Sequence, residues 1–246
     1  MVDTASPAPL LSVVVPVHDE DANVETLVDE IARALRPVLH FEMLFVDDAS
    51  RDRTLEVLRS LKGRYPELRV LRHHGQCGQS TAVHTGIRAA RADWIATLDG
   101  DGQNDPADLP TLLAARDRAP VQVRLFQGWR TTRKDSWVKR VSSSIANAVR
   151  SRLLGDATPD TGCGIKLIER AVFLELPYFD HMHRFLPALV RRAGFGVQSV
   201  PVSHRPRLGG RSKYGVWNRL WVGMVDIAGV AWLSRRYRQR RVSEED

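Results

Sequence analysis

Apolar, β-branched runs alternate with helical patterns through the first half of the chain, and this alternation limits the possible folds most strongly. Leu11–Val15 and Phe41–Val46 are continuous apolar runs, typical of strands that are buried on both faces. Further strands are predicted at Leu68–Leu71 and Trp94–Leu98, with helices at Asn23–Leu35, Thr54–Tyr65 and Gln79–Ala90. Strands and helices that alternate with short connections predict an α/β fold, an open and mostly parallel sheet flanked by helices.

The second half is less regular but continues the same pattern. Predicted strands are Val121–Gly128, Ile165–Ile168 and Val197–Val202, and predicted helices are Pro106–Arg116, Lys134–Leu154, Phe185–Ala193 and a long stretch from Val216 to Arg236. We therefore divide the chain into a disordered leader (1–9), one α/β domain (10–213) and a C-terminal amphipathic helix with a basic tail (214–246).

Polar residues follow three of the predicted strands directly. They are Pro16–Glu20 after the first strand, Asp47 and Asp48 after the second, and Asp99–Asp105 after the fourth. Ligands of open α/β sheets bind beyond the carboxyl ends of the strands, where these residues would meet. The sequence therefore predicts a binding site at this edge of the sheet.

Asp99-Gly100-Asp101 is the motif with the clearest chemistry. Two carboxylates one residue apart, at a strand exit with a flexible glycine between them, can face one divalent cation. Mg²⁺ and Mn²⁺ prefer oxygen ligands and are often shared with substrate phosphates. An acidic, solvated turn would explain this motif on its own equally well.

The ordered set of motifs resembles glycosyltransferase family 2, and within it the group of dolichyl-phosphate mannose synthase and other polyprenyl-phosphate glycosyltransferases. The set comprises the segments 12–20, 44–52 and 99–106, with Gly128-Trp129-Arg130 and the basic segment Arg207–Lys213 further on. The resemblance runs from Leu11 to about Leu233. It implies the GT-A fold, which is Rossmann-like, and an inverting, metal-dependent sugar transfer.

The resemblance also implies a role for individual positions. It assigns nucleotide contacts to Pro16, His18, Glu20 and Asp48, and it assigns the Mg²⁺ or Mn²⁺ ion and the diphosphate to Asp99, Asp101 and Gln103. Arg130 matches the arginine that follows the family's fifth strand, and Arg140 and Ser144 match phosphate-binding positions on the next helix. Arg207, Ser212 and Lys213 match a mobile basic loop over the donor diphosphate. Asp99, Asp101, Arg130 and Arg140 are the expected catalytic residues. Arginine and lysine suit these positions because negative charge grows on the leaving diphosphate.

The net charge of +7 favours anionic partners such as phosphorylated substrates, acidic lipids or nucleic acid. We expect a nucleoside diphosphate sugar (GDP- or UDP-linked), a polyprenyl phosphate acceptor and a membrane surface as partners, and a homo-oligomer is possible. No nucleic-acid partner is expected. The two cysteines, Cys77 and Cys163, form no metal-binding pair and are interpreted as half-buried small side chains of a reducing compartment.

The C-terminal stretch Leu220–Leu233 is the most apolar part of the second half, but Asp226 interrupts it and it is too short to span a bilayer. Tryptophans 217, 221 and 232, followed by an arginine cluster from Arg235, predict an interfacial helix. A helix that packs on the core is the alternative. With no signal peptide recognised at the N-terminus, we expect a peripheral, monotopic protein at the cytoplasmic face of the membrane.

Three other hypotheses remain open at this point. A family 2 transferase could use a saccharide rather than a lipid acceptor. The basic charge alone would also fit a nucleic-acid-binding protein, which leaves the acidic strand ends unexplained. A catalytically silent membrane scaffold is the last alternative.

Overall fold

The structure, a computed structural model, describes residues 8–130, 154–156, 158–205 and 216–236. Its strands are β1 (Leu11–Val17), β2 (Phe41–Asp47), β3 (Leu68–Arg72), β4 (Trp94–Thr97), β5 (Val123–Arg130), β6 (Lys166–Glu169) and β7 (Gly196–Val202). Its helices are α1 (Val24–Leu35), α2 (Thr54–Leu61), α3 (Gln79–Ala89), α4 (Leu109–Arg118), α5 (Arg170–Glu175), α6 (Leu186–Arg192) and α7 (Val216–Arg236). Short 3₁₀ turns lie at Pro106–Asp108 and Met182–Arg184.

The seven strands form one sheet in the order β3-β2-β1-β4-β6-β5-β7. Strands β1 to β4 pair in parallel, and β5 pairs in parallel with β7. Strand β6 is inserted between β4 and β5 and runs antiparallel to both. The mostly parallel α/β sheet predicted from the sequence is therefore confirmed, with one reversed strand that the apolar pattern did not indicate.

Helices cover both faces of the sheet, which is why β2 is buried along its whole length. One core layer lies between the sheet and α1, α2 and α4, where Leu27, Leu58 and Leu112 are buried. The second lies under α3, α5 and α6, where Ile87, Phe173 and Leu189 are buried.

The observed elements differ from the predicted ones mainly at their ends. Helix α2 stops at Leu61 instead of Tyr65, because the chain turns at Gly63 before Pro66. The predicted helix from Pro106 is divided into a 3₁₀ turn and α4. Helix α5 was not predicted. The predicted helix Lys134–Leu154 lies almost wholly outside the described residues.

Helix α7 has the predicted bounds and packs against the domain. Val230 is buried in the second core layer, and the Arg192 side chain donates a hydrogen bond to the Leu233 carbonyl at 3.0 Å. Asp226, the acid within the apolar stretch, lies 3.1 Å from Nδ1 of His181. No helix within the described ranges is long and apolar enough to cross a bilayer. The division of the chain at residue 214 stays a prediction.

Candidate active site

The acidic strand ends meet at the carboxyl edge of the sheet, because β2, β1 and β4 are neighbouring parallel strands. The Asp48 amide donates to the Val17 carbonyl at 2.9 Å, which joins the exits of β2 and β1. Asp99 follows β4 on the other side of β1. The sequence prediction of a shared edge is confirmed for these strands.

Asp99 and Asp101 form an ordered turn rather than a loose acidic loop. Oδ1 of Asp99 accepts a hydrogen bond from Nε2 of Gln79 at 2.8 Å. The Asp99 amide donates to Oδ1 of the buried Asn104 at 3.2 Å, and Oδ1 of Asp101 accepts from the Gln103 amide at 3.1 Å. The Asp99 carboxylate is thus held by a side chain from α3, outside its own motif.

Two glycines let the backbone approach this turn closely. A Cβ atom at Gly100 would lie 2.7 Å from Cγ1 of Val17 and 2.9 Å from the Pro16 carbonyl oxygen. A Cβ atom at Gly164 would lie only 2.1 Å from Oδ2 of Asp99. Gly164 comes just before β6, and the antiparallel pairing of β6 with β4 brings it against the Asp99 side chain.

A cavity of about 140 Å³ opens beside Asp99. Pro16, Gln79, Thr97, Asp99, Gly164, Lys166, His183 and Arg184 are among the residues that line it. Lys166 stands opposite Thr97 in the sheet and is almost completely buried. Its ammonium group donates to the Cys163 carbonyl, and burial lowers its pKa.

Asp99 carries an electrostatic cost that its neighbours only partly offset. Burial raises the pKa of its carboxyl group, and the charge of Asp101 raises it further. Lys166, Arg130 and the hydrogen bond from Gln79 act in the opposite direction, with Lys166 the larger of the two cationic contributions. A further cation at this position would favour ionisation of Asp99.

His183 also lines the cavity. Its Nδ1 lies 2.7 Å from the hydroxyl of Ser80, the second residue of α3. Burial, with a smaller contribution from Lys166, lowers the pKa of His183 well below its usual range. Burial therefore favours the neutral imidazole, which forms a hydrogen bond with Ser80.

Arg130 reaches the same edge at the end of β5 but is paired with another residue. Its Nε and Nη2 atoms contact the two carboxylate oxygens of Asp160 at 2.6 and 2.9 Å. Both side chains are largely buried, and the charge of Asp99 also acts on the guanidinium group. The Arg130–Asp160 pair fixes the guanidinium, and a phosphate contact would have to share it with Asp160.

The residues predicted for the nucleotide gather around the ends of β1 and β2. Pro16 lines the cavity, and Nδ1 of His18 lies 2.8 Å from the Asp48 carbonyl oxygen. Glu20 begins the turn into α1: its amide donates to the Thr54 hydroxyl and its carboxylate accepts from Asn23 at 2.7 Å. The structure thus brings Pro16 and His18 to the carboxyl edge and places Glu20 beside them.

The Asp48 carboxylate is used within the protein, in a way the sequence did not indicate. It accepts hydrogen bonds from Nδ1 of His73 at 2.7 Å and from the amides of Cys77 and Gly78, each at 2.8 Å. Burial opposes its ionisation, but these three donors outweigh burial and lower the pKa of Asp48. Asp48 therefore holds the segment between β3 and α3, which leads to Gln79 at the start of α3.

The five remaining predicted site residues, Arg140, Ser144, Arg207, Ser212 and Lys213, lie outside the described residues. The chain before the last three is nevertheless fixed at the site. The Arg205 amide donates to the Gln103 carbonyl at 3.1 Å, and its guanidinium contacts Asp105 at 2.7 Å and Glu30 at 2.8 Å. Arg205 thus ties the exit of β7 to the Asp99–Asp105 turn.

Sequence reasoning missed Lys166, Gln79, Asp160 and His183. Lys166 carried a usable signal, since it is a charged residue within the apolar run Ile165–Ile168 and charges are rarely buried without a partner. The other three are polar residues of ordinary segments. They reach the site only through pairing of β6 with β4 and packing of α3 and the turn Met182–Arg184, which no local pattern encodes.

Comparisons with known proteins agree with this geometry. The family model described as "Glycosyl transferase family 2" matches residues 12–176. The dodecaprenyl-phosphate galacturonate synthase of Rhizobium johnstonii is 35% identical over 230 residues, which cover 92% of this chain and 67% of that protein. The undecaprenyl-phosphate 4-deoxy-4-formamido-L-arabinose transferase of Edwardsiella ictaluri is 32% identical, and the match covers 63% of the length of that protein. The chain thus spans about two thirds of the length of these relatives.

Solved structures show the same fold at low sequence identity. A glucosyl-3-phosphoglycerate synthase from Mycobacterium tuberculosis, in complex with Mn²⁺, UDP and glucosyl-3-phosphoglycerate, superposes with a TM-score of 0.69 at 17% identity, covering 92% of this chain and 80% of that one. A mannosyltransferase from Pyrobaculum calidifontis, in complex with GDP-Man and Mn²⁺, gives 0.70 at 20% identity, covering 96% and 67%. By its family match, its relatives and its fold, the chain belongs to glycosyl transferase family 2.

Proposed function

We propose that this protein transfers a sugar from a nucleoside diphosphate sugar to a polyprenyl phosphate, with inversion at the anomeric carbon and with Mg²⁺ or Mn²⁺ as cofactor. The observation that carries the proposal is the ordered Asp99–Asp101 turn beside a cavity at the carboxyl edge of the sheet. The relatives from Rhizobium and Edwardsiella, whose names each include a polyprenyl phosphate, support the lipid acceptor.

The ligand atoms that the Asp99–Asp101 turn offers fit a hard divalent cation. Asp99 and Asp101 offer carboxylate oxygens, and because burial raises the pKa of Asp99, a cation bound beside it would favour its ionised form. Gln103 belongs to the same turn and is proposed as a further contact. When bound, the metal would stabilise the negative charge that develops on the leaving diphosphate.

The protein's own residues would orient and neutralise the reacting anions. Gln79 fixes the Asp99 carboxylate, and Lys166 supplies a buried positive charge at the cavity. Arg130, held by Asp160, adds a second cation at the same edge. Because a lipid phosphate is already ionised at neutral pH, the acceptor oxygen needs no general base.

The remaining predicted contacts complete the proposal. Pro16, His18 and Glu20 would bind the nucleotide from the β1 side, and Asp48 would shape its binding site through the segment that it holds. Arg140, Ser144, Arg207, Ser212 and Lys213 are proposed to bind phosphates. The anchoring of Arg205 beside Gln103 supports this for the last three, because Arg207 follows it by two residues in the sequence.

Helix α7 is proposed to lie on the membrane surface that holds the acceptor. Its exposed side chains share one face at helical spacing: Met224, Val225, Ala228, Gly229 and Trp232, followed by Arg235 and Arg236. Trp232 is 59% exposed, and the Arg236 guanidinium lies over its ring. An apolar face that ends in arginines suits an interface with anionic lipid. The side chains of Trp217 and Trp221 lie outside those described.

We further propose that the enzyme acts at the cytoplasmic face of the membrane. Its two cysteines are both free, as expected in a reducing compartment. A homo-oligomer remains a prediction from the sequence, as does the absence of a nucleic-acid partner.

Transfer of label is the test of this function. The purified chain is incubated with UDP- and GDP-linked radiolabelled sugars, Mn²⁺ and either undecaprenyl phosphate or an oligosaccharide. We expect label from one donor in the butanol-extractable lipid, lost on chelation of the metal and in Asp101→Asn but retained in the surface variant Asp117→Asn. Label in the oligosaccharide alone would refute the lipid acceptor, and no transfer from any donor would refute the function.

A further inference from the structure

Three potential metal ligands lie together at a place that the proposed sugar transfer does not use as a metal site. They are Asp48 at the end of β2, His73 directly after β3, and Cys77 in the segment that leads to α3. A carboxylate oxygen, a ring nitrogen and the sulfur atom of these residues all lie within 4.8 Å of one another. Local sequence patterns do not indicate this cluster, because Asp48 lies 25 residues before His73 and 29 residues before Cys77.

The cluster is already arranged as a partly formed site. Oδ1 of Asp48 lies 2.7 Å from Nδ1 of His73, and Nε2 of the same ring lies 2.9 Å from the hydroxyl of Thr85. Metal-binding histidines commonly use their second nitrogen for such an orienting hydrogen bond. Asp48 is buried while Cys77 is exposed, so an ion can reach the cluster from solvent. The prediction that both cysteines are half-buried is wrong, because Cys77 is exposed and Cys163 is buried.

We propose that Asp48, His73 and Cys77 bind a thiophilic divalent cation, of which Zn²⁺ is the best match. Zn²⁺ combines sulfur, nitrogen and oxygen ligands in a tetrahedron, and solvent would fill the fourth position. Mg²⁺ and Mn²⁺ gain little from a thiolate, so this site and the Asp99–Asp101 site select different ions. The thiolate and the carboxylate together neutralise the two charges of the ion.

Binding changes the protonation of two side chains. The Cys77 thiol loses its proton to solvent, and the His73 ring carries its proton on Nε2, where it donates to Thr85, rather than on Nδ1. The His73–Asp48 pair must open slightly, since ligand atoms of a tetrahedral zinc ion are farther apart than 2.7 Å. The exposed Cys77 side chain can approach by rotation about its Cα–Cβ bond.

The site is next to the segment that orients Asp99. Oδ1 of Asp48 also accepts a hydrogen bond from the Cys77 amide. Gln79 lies two residues beyond Cys77 and donates to Asp99 at 2.8 Å. An ion that draws Asp48 and Cys77 into its coordination sphere would shift this segment. On the basis of the proposed function, bound Zn²⁺ would therefore inhibit sugar transfer, although the binding itself does not depend on that function.

Co²⁺ is a suitable spectroscopic probe for this site, because a thiolate ligand gives it a charge-transfer band in the near ultraviolet. The full chain is titrated with Co²⁺ in excess Mg²⁺, which occupies oxygen-only sites. We expect a band that saturates at one equivalent and disappears when Zn²⁺ is added. Cys77→Ser should abolish the band, whereas His74→Ala, a change at the exposed neighbour of His73, should leave it intact.

Alkylation offers a second measurement on the native protein. Iodoacetamide reaches the exposed Cys77 and not the buried Cys163, and we expect it to remove the band as Cys77→Ser does. No charge-transfer band in the unmodified protein would overturn the proposal. A band that survives in Cys77→Ser or after alkylation would also overturn it, because the thiolate would then belong to Cys163.

Discussion

At the scale of single residues, the position and the charge of the Asp99 carboxylate depend on groups from three separate parts of the chain. Gln79 from α3 donates to it, Gly164 leaves room for it, and Asp101 repels its charge. Burial also raises the pKa of this carboxyl group, so that a further cation bound beside Lys166 and Arg130 would favour its charge. Such a position is typical of a functional group rather than of one retained for stability.

Asp99→Asn should separate activity from stability. We expect sugar transfer to fall by about a hundredfold or more, because a charged ligand is lost. Since the pKa of Asp99 is raised in the folded protein, ionisation above the unfolded pKa of about 4 costs stability as the pH rises. The metal-free variant should therefore melt above the wild type at pH 7, and this advantage should shrink as the pH falls towards 4. A metal-free variant that melts below the wild type at pH 7 would contradict this view of Asp99.

Gly164→Ala tests the close approach to Asp99. The added methyl group would overlap the carboxylate, and displacing a catalytic group by about 1 Å can cost about a hundredfold in rate. Overpacking of this kind should lower the free energy of unfolding by about 1–3 kcal/mol. Gly63→Ala is the matched control, since nothing lies within 4 Å of its Cβ position. Full transfer activity in Gly164→Ala would show that Asp99 is not constrained as described.

At the scale of elements, the segment between β3 and α3 links the two halves of the acidic edge. Asp48 holds it at His73, Cys77 and Gly78, and Gln79 then reaches Asp99. The predicted position of Asp48 at a strand end is confirmed, while its contact with the nucleotide stays a prediction. Its role in holding the segment depends on donors more than twenty residues away, and local patterns contain no information on such contacts.

Asp48→Asn should destabilise the protein by about 1–3 kcal/mol at pH 7, because an amide cannot accept from all three donors. The pKa of Asp48 is lowered on folding, so its stabilising effect is present above the unfolded pKa and is lost at lower pH. Urea denaturation should show that the free energies of unfolding of the wild type and Asp48→Asn differ at pH 7. The two values should converge below about pH 4. Asp117→Asn is the surface control, and a constant difference at all pH values would contradict the assignment to ionised Asp48.

Helix α7 should mediate binding to anionic vesicles. The double variant Met224→Asp with Trp232→Asp places two charges on its exposed face, so co-sedimentation with the vesicles should be lost. Val121→Asp is the matched control, because Val121 is 68% exposed in a different part of the molecule. High salt should weaken wild-type binding through Arg235 and Arg236. Equal sedimentation of the double variant and the wild type would argue for the alternative, a helix with only a packing role.

At the scale of the whole molecule, one reversed strand completes the site. The parallel strands β1, β2 and β4 bring the acids together, and β6 then places Lys166 and Gly164 beside Asp99 from the opposite direction. The mostly parallel sheet and the Asp99–Asp101 turn were predictable, because strand ends and acids are local features of the sequence. Lys166 and the Arg130–Asp160 pair were not assigned, because the order and direction of strands in the sheet determine them.

The central claim is that Asp99 and Asp101 hold a cation that binds the diphosphate of the donor. Thermal unfolding with UDP or GDP, each with and without Mn²⁺, tests it most directly. At about 100 times Kd a ligand adds about 2.7 kcal/mol, equivalent to about 5–10 °C for a chain of this size. We predict such a shift for one nucleotide only when Mn²⁺ is present, and none in Asp101→Asn. An equal shift without Mn²⁺, or in Asp101→Asn, would contradict the account.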